Sequence, residues 1–382
     1  MNPFTVAIIT ACAGIINSPY ASLFTAHERF RFLTQFDILN SLIRFCCIFL
    51  LQFYHGDNVL RLYAMIVCLT TANTFIVYHW LAARDWPRII KFRLIRGWNY
   101  YKDVLVFGNW NLLATASYMA RNSGSDLILN AFYGTTMNGA FAISKNVNQY
   151  VAEFSARFDS ASAPQIIQSY AAGDKERYTY LAFKLGRFSI LLFELVFFPL
   201  FIELEFILHL WLGDVPDGAL VLTQINLILA GVSLTIGGAY QVINASGKIK
   251  WFKIVLSFFF LSCIPISFFL FKCGYPAYTM LVIFLIADIF QRVIQLILLN
   301  KVIGFDSLKY VREAYVRPFI IAMIMTLVLL YYKTLTVELV WMKLTFIGLT
   351  FFLCAVLIAM IGLKKNERRT LLGKVRAKLS HK

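Results

Sequence analysis

The stretch VWMKLTFIGLTFFLCAVLIAMIG, Val340 to Gly362, holds one charged residue, Lys343, close to its start. A hydrocarbon core of about 30 Å is crossed by roughly 17 to 25 apolar residues in a helix, so this stretch reads as a membrane span. Working outward along the chain, the same pattern gives eleven segments: 4–24, 36–54, 59–82, 104–131, 138–158, 181–207, 220–243, 253–271, 277–300, 318–335 and 340–362. The tenth is short, opens with Pro318 at a first-turn position and carries Lys333 near its end, where a long side chain snorkels. Over 382 residues the chain is 59% hydrophobic and 15% charged, against about 25% charged in soluble domains. That excludes a plain soluble enzyme. The expected fold is an all-α polytopic membrane protein of about eleven helices.

The net charge of +16 would suggest nucleic acid in a soluble protein, but its placement argues otherwise. Of 36 basic residues, 27 fall in the stretches 25–36, 83–103, 161–187, 244–253, 301–317 and 363–382, which all lie on one side of the segment pattern. Arg61, Lys272, Lys333 and Lys343 lie on the other side, and Arg44, Arg121, Lys145, Arg157 and Arg292 fall inside segments. The positive-inside rule makes the rich side cytoplasmic, with the C-terminus inside and the N-terminus outside. No nucleic-acid partner is expected.

An odd segment count and an outside start suggest a chain that begins partway into a larger design. A weak repeat agrees. Pro19-Tyr20 and the turn to Phe32 match Ala239-Tyr240 and the turn to Phe252, each closing a helix with a small residue, a tyrosine and a basic, aromatic turn. The two lie six segments apart, so the repeat unit is six helices. The expected organisation is a partial N-terminal lobe of three helices (1–84), a cytoplasmic amphipathic linker (85–103), a six-helix C-terminal lobe (104–300), and two extra helices with a basic tail (301–382). On this reading three helices upstream are missing. The linker, Trp86-Pro87 to Arg96-Gly97, has Pro at a helix start, basic and apolar faces, and Gly at the stop, the pattern of an interfacial helix.

Much chemistry is absent from the pattern. Outer loops are short, the longest lying around Asp214 and Pro216, which leaves little room for the acceptor site of a polymerase or ligase. Gly247-Lys248 lacks the upstream glycine of a phosphate loop and is followed by Ile249. The seven cysteines, Cys12, Cys46, Cys47, Cys68, Cys263, Cys273 and Cys354, show no C-x-x-C spacing, and the five histidines make no metal pattern. No cofactor and no metal are expected. Pro199, Pro265 and the pair Gly237-Gly238 lie within segments, where they permit kinks, hinges or close helix approach.

Ionisable groups inside a bilayer helix cost about 2.5 to 3.5 kcal/mol on insertion scales, so they usually face a partner or a wet cavity. Asn111, Thr115, Tyr118, Asn122 and Ser125 recur at helical spacing, with Arg121 and Asp126 beside them; Asn138, Lys145, Gln149 and Glu153 share one face of the next segment. Two polar-faced neighbours imply a shared hydrated cavity with Arg121 and Lys145 at mid-depth. Two cations without an equal acidic complement point to an anionic ligand. The alternatives are a local Arg121–Asp126 pair, and Lys145 with Gln149 as interhelical glue. Asp126 and Glu153 are counter-ions or ion-coupling groups. Asp288 and Arg292, four apart, read as a self-neutralising pair. Arg44 has a snorkelling, interhelical or ligand-contacting role. Arg157, Asp159, Glu203 and Glu205 sit near membrane boundaries.

The run from Trp110 through Gly124 to Gly134, then Ala163-Pro164 to Gly173-Asp174, resembles the middle region of bacterial polysaccharide flippases of the O-antigen (Wzx) type. So do Glu205 to Pro216 and the turn Ala245 to Lys250, while Tyr20 to Arg29 resembles the turn after that family's fourth helix. These are many weakly specific positions in family order, without a catalytic signature. The resemblance implies the multidrug/oligosaccharidyl-lipid/polysaccharide exporter fold: two six-helix lobes around a cavity, often with two further C-terminal helices. Segments one to nine would then be helices four to twelve. It also implies a substrate, an undecaprenyl-diphosphate-linked oligosaccharide moved across the bacterial inner membrane, and as partners membrane lipids and other polysaccharide assembly proteins. Arg121, Lys145, Asn122, Gln149 and Arg44 would bind the substrate, and Asp126 and Glu153 would couple an ion gradient. A multidrug antiporter would favour an acidic, aromatic pocket; a polymerase or an assembly scaffold is the reading from a different class.

Overall fold

The computed structural model describes residues 3–27, 29–53, 59–90, 97–334, 339–365 and 367–369. These are helical apart from turns, with no strand among the described residues. By length and composition seven helical stretches are able to cross a membrane: Arg31–Leu50, Arg61–Asp85, Lys175–Ile202, Lys250–Lys272, Thr279–Ile303, Ser307–Tyr332 and Val340–Gly362. The number rises to eight if the pair Ala219–Leu234 and Gly237–Ser246, bent by 47°, is one broken span. The protein is all-α, with the make-up of a multi-pass membrane protein.

Two compact units divide after Gly97, within the stretch expected as a linker. The first holds α1 (Pro3–Ala26), α2 (Phe30–Leu50), α3 (Val59–Asp85) and the short α4 (Pro87–Ile90). Its buried centre is Phe24, Tyr78 and Ala82, and Trp86 closes one end with its ring 5.3 Å from Phe24 and 4.5 Å from His27. Pro87 stands at the first position of α4, where a missing N–H costs nothing. The rest of the expected amphipathic linker, residues 91–96, lies outside the described residues, as does most of the basic tail, 370–382.

A polar seam joins α2 to α3. Asp37 accepts from the Tyr78 hydroxyl at 3.2 Å, Asn40 donates to Thr74 at 3.1 Å, and Arg44 donates to Thr70 at 3.2 Å. Positions 37, 40 and 44 share one helix face, and their partners run in the opposite order, as antiparallel helices require.

The second unit begins with α5 (Trp98–Ala171), 74 residues in two helical halves that meet at Gly134. Straight, such a helix would be about 110 Å long. It turns at Gly134 instead, where φ is 78° and ψ is −176°, a conformation essentially reserved for glycine. The two halves fold back on each other, so that Asp126 and Lys145 meet across them at 2.6 Å. The remaining helices are α6 (Lys175–Ile202), α7 (Leu204–Leu212), α8 (Ala219–Leu234), α9 (Gly237–Ser246), α10 (Lys250–Lys272), α11 (Thr279–Leu298), α12 (Ser307–Tyr332) and α13 (Val340–Leu357). A π-helical turn, Leu299–Ile303, extends α11.

Helix α5 packs against α6, α8 and α10, α11 lies against α10 and α8, and α12 and α13 attach to α6. The break between α8 and α9 falls just before Gly237-Gly238. A methyl on Gly238 would sit 2.0 Å from the Ala182 carbonyl oxygen, so only glycine lets α9 approach α6 this closely. Tyr310 of α12, wholly buried, donates to the Thr235 carbonyl at 2.9 Å and satisfies a group left free by the break. The tenth segment, expected from Pro318, is longer: α12 starts at Ser307, where Asp306 caps the Lys309 amide at 2.9 Å, and Pro318 lies buried inside it. Pro199 and Pro265 likewise lie inside the continuous helices α6 and α10. On α6, Arg187 pairs with Glu367 at 2.5 Å, both side chains almost fully buried, tying the chain after α13 back onto the unit.

Candidate functional site

A cavity of about 640 Å³ opens between both halves of α5 and helices α8, α10 and α11. That is within the range of small-ligand sites. Its walls combine aromatic rings with amides and hydroxyls, among them Tyr118, Phe260, Phe284, Asn148, Asn226 and Ser233. Its charged lining is Arg121, Lys145 and Arg292 against Glu153 and Asp288, an excess of one cation.

Arg121 lies on the buried stripe of the first half of α5, formed with Ala114, Ser117, Ser125 and Leu129. This stripe packs on α10 because its other members are small or aliphatic. Gly124, beside it, would press a methyl to 3.2 Å from Ile264. The guanidinium carbon stands 4.0 Å from the Phe260 ring centre and 4.8 Å from that of Phe284, an arrangement that holds a cation through the ring faces. Opposite it, Asp288 Oδ1 is 3.5 Å from Nη1, too long for a good hydrogen bond. Arg121 Nε and Nη1 and Asp288 Oδ1 are buried without a hydrogen-bond partner.

Asp288 is shared. Its Oδ2 accepts from Ser233 at 2.7 Å, and Arg292 Nη2 lies 3.7 Å away. Arg292 also donates to Gln295 at 3.1 Å. One carboxylate, 2% exposed, therefore serves two guanidiniums loosely and one hydroxyl tightly. The pair expected to neutralise itself, Asp288 and Arg292, is a three-member cluster that takes in Arg121.

Arg121 and Lys145 each face a carboxylate, while the cavity's charged lining keeps its excess of one cation. Lys145 Nζ meets Asp126 at 2.6 Å and lies over the Phe141 ring at 4.6 Å, and Arg121 faces Asp288. A low-dielectric interior makes an unpaired charge expensive, which is why the fold brings a carboxylate to each. Asp126 pairs with Lys145, not with Arg121, because the turn at Gly134 brings the second half of α5 alongside the first.

Of the expected site residues, Arg121, Asn122, Lys145, Gln149 and Glu153 all line the cavity. Asp126 stands behind Lys145, and Glu153 pairs with Arg157 at the more exposed end. Arg44 is in the first unit, bonded to Thr70. Asn111 bonds its own helix at Phe107. Sequence reading missed Asn148 and Asn226. Asn148 donates to the Asn226 carbonyl and side-chain oxygens at 2.8 and 2.6 Å, and Asn226 donates to Ser144 at 2.9 Å, a polar junction of α5 with α8. The spacing of Ser144 and Asn148, one helical turn apart, carried a signal. Glu194 was also missed: it is 5% exposed on α6, with Oε2 unpartnered.

All seven cysteines are free, and among the described residues no group of three or more His, Cys, Asp or Glu is placed to hold a metal. Compared with known proteins, the chain matches no family, no curated protein and no solved structure.

Proposed function

We propose that this protein is a transporter, not an enzyme, and moves a lipid-linked oligosaccharide with an undecaprenyl-diphosphate anchor across the bacterial inner membrane for surface polysaccharide synthesis. The observation that carries the proposal is the cavity: amide and aromatic walls suited to sugar, around an arginine whose donors are incompletely bonded. A diphosphate and a glycan do not cross hydrocarbon unaided, because buried charge without partners costs far more than it returns. In this reading Arg121 turns from its loose contact with Asp288 to the diphosphate, Lys145 assists, and Asn122 and Gln149 meet sugar hydroxyls.

The topology belongs to the same proposal. Eleven spans result if α1, the two halves of α5 and the bent α8–α9 pair cross the membrane together with the seven apolar stretches. The halves of α5 are less apolar because one face of each serves the cavity. The basic excess would place the C-terminus in the cytoplasm. Protonation of Asp126 would release Lys145 to the substrate, making Asp126 the coupling acid, with Glu153 assisting at the more exposed end.

The test is flipping of a fluorescent undecaprenyl-diphosphate oligosaccharide in proteoliposomes, read by quenching from one side. Removing one charge-assisted contact of about 1.5 to 3 kcal/mol lowers affinity by about tenfold or more. Arg121→Gln and Lys145→Gln are each expected to slow flipping by that factor while helix content stays constant. Unchanged flipping in both variants overturns the cavity mechanism. Export of cationic dyes in place of the glycan replaces it with the antiporter reading, and absence of any transport favours the scaffold.

A further inference from the structure

A second hollow, of about 490 Å³, lies away from the cavity, on the outside of the turn that joins α11 to α12. Both helices are apolar enough to cross a membrane, and Lys301 sits two residues before the first of these spans ends, at Ile303. The hollow is therefore at the level where hydrocarbon gives way to headgroups.

Its two ends differ in chemistry. Val293, Ile297, Leu308 and Val311 make an apolar trough, while Asn300 and Lys301 stand at the turn. From Val293 to Lys301 the helix rises about 12 Å, so the trough runs down from the headgroup level into the hydrocarbon. Leu308 is 81% exposed and Val293 and Ile297 about half exposed, so protein covers the trough on one side only. The local backbone keeps it open. The π-helical turn at Leu299–Ile303 and the left-handed Gly304 widen the corner, and Ser307 is drawn against the end of α11 by a 2.6 Å bond to the Leu296 carbonyl.

The charged residue in the lining of this trough is Lys301. Lys301 is exposed, and Arg312 is exposed one turn beyond Leu308; among the described residues neither has an ion-pair partner. The acids nearest in sequence are engaged elsewhere: Asp306 caps the Lys309 amide, and Glu313, next to Arg312, pairs with Lys364 at 2.6 Å. A trough for an alkyl chain, with an unpaired cation at its polar end and a second along α12 whose long side chain reaches back toward the helix start, is complementary to one class of molecule. We propose that this corner is a specific site for an anionic phospholipid, with one acyl chain along Val293, Ile297, Leu308 and Val311 and the phosphate on Lys301, helped by Arg312. Basic pockets between membrane helices recognise lipid headgroups in this way. The site is independent of what the cavity transports.

The experiment is native mass spectrometry of the whole protein released from mixed micelles with phosphatidylglycerol or phosphatidylcholine at equal concentration. Retained phosphatidylglycerol adducts are expected on the unaltered protein and few phosphatidylcholine adducts. Each cation near an anionic headgroup is worth about a fivefold change in affinity, so Lys301→Gln is expected to reduce retention about fivefold and Lys301→Gln with Arg312→Gln more than tenfold. Leu308→Trp tests the trough separately. Its side chain is exposed, so the protein tolerates the change, yet the indole fills the acyl path and retention falls with charge unaltered. Equal retention of the two lipids, or retention of phosphatidylglycerol that survives both the charge and the trough variants, overturns the site in favour of ordinary annular lipid.

Discussion

Arg44 and Arg121 are both guanidiniums inside membrane-length helices, and their surroundings differ. Arg44 is half-buried and bonded to a threonine hydroxyl, one rung of a ladder in which Asp37, Asn40 and Arg44 meet Tyr78, Thr74 and Thr70. Arg121 is 8% exposed, boxed by two aromatic rings, faced by a carboxylate at 3.5 Å and left with unbonded donors beside a cavity. The first arrangement joins helices. The second leaves a charge under-bonded beside open space. An intramembrane arginine thus points to ligand binding only when its partners under-bond it and there is room nearby.

The sharpest way to break this contrast is to remove the carboxylate. Asp288 separates two guanidiniums, and taking away one partner of a buried ionic cluster typically costs about 3 to 5 kcal/mol. Asp288→Asn is expected to fall in that range, measured by denaturant unfolding in detergent. Arg121→Gln combined with Asp288→Asn is expected to recover part of the loss, since the surplus cation is then gone. A cost no larger than that of breaking the seam would put Arg121 and Arg44 in one class.

How much of this was legible follows from periodicity. Helical spacing brought out Arg121, Asn122, Lys145, Gln149 and Glu153, and all five line one cavity. Spacing along one helix reports a face but not what opposes it. Asp288, Ser233 and Asn226 come from α8 and α11, far along the chain, so the acidic partner of Arg121 was invisible from α5 alone, whereas that of Lys145, Asp126, lies on α5 itself. The start of α12 was misplaced for a different reason. Ser307 to Arg317 carries Lys309, Arg312, Glu313 and Arg317, too polar for a hydropathy reading, yet Asp306 caps it and buried Tyr310 anchors it as helix. The turn at Gly134 lies between two expected segments, where the sequence asks for a reversal but not for a single residue to make it.

That residue provides the next test. At φ 78° and ψ −176° Gly134 occupies a region where a side chain costs about 1 to 3 kcal/mol. Gly134→Ala is expected to lose that much stability and to loosen the contact of Asp126 with Lys145, which depends on the reversal. Gly139, five residues later in the same helix, has open space and an ordinary φ. Gly139→Ala is expected to stabilise slightly, by up to about 1 kcal/mol. Equal behaviour of the two variants would show that the reversal does not depend on glycine.

The seam sets the small end of the scale. Hydrogen bonds between membrane helices average about 0.6 kcal/mol, with a maximum near 1.7, because the separated helices find other partners. Arg44→Gln is expected to cost about that much, Thr70→Val a similar amount, and the double variant less than their sum, since both remove one contact. The functional readout separates glue from ligand contact. If Arg44 only joins α2 to α3, glycan flipping by Arg44→Gln stays within twofold of the unaltered protein at matched folded fraction. A tenfold loss with unfolding unchanged would move Arg44 from the seam to the substrate path, and exposure to a cavity would no longer be needed to tell the two arginines apart.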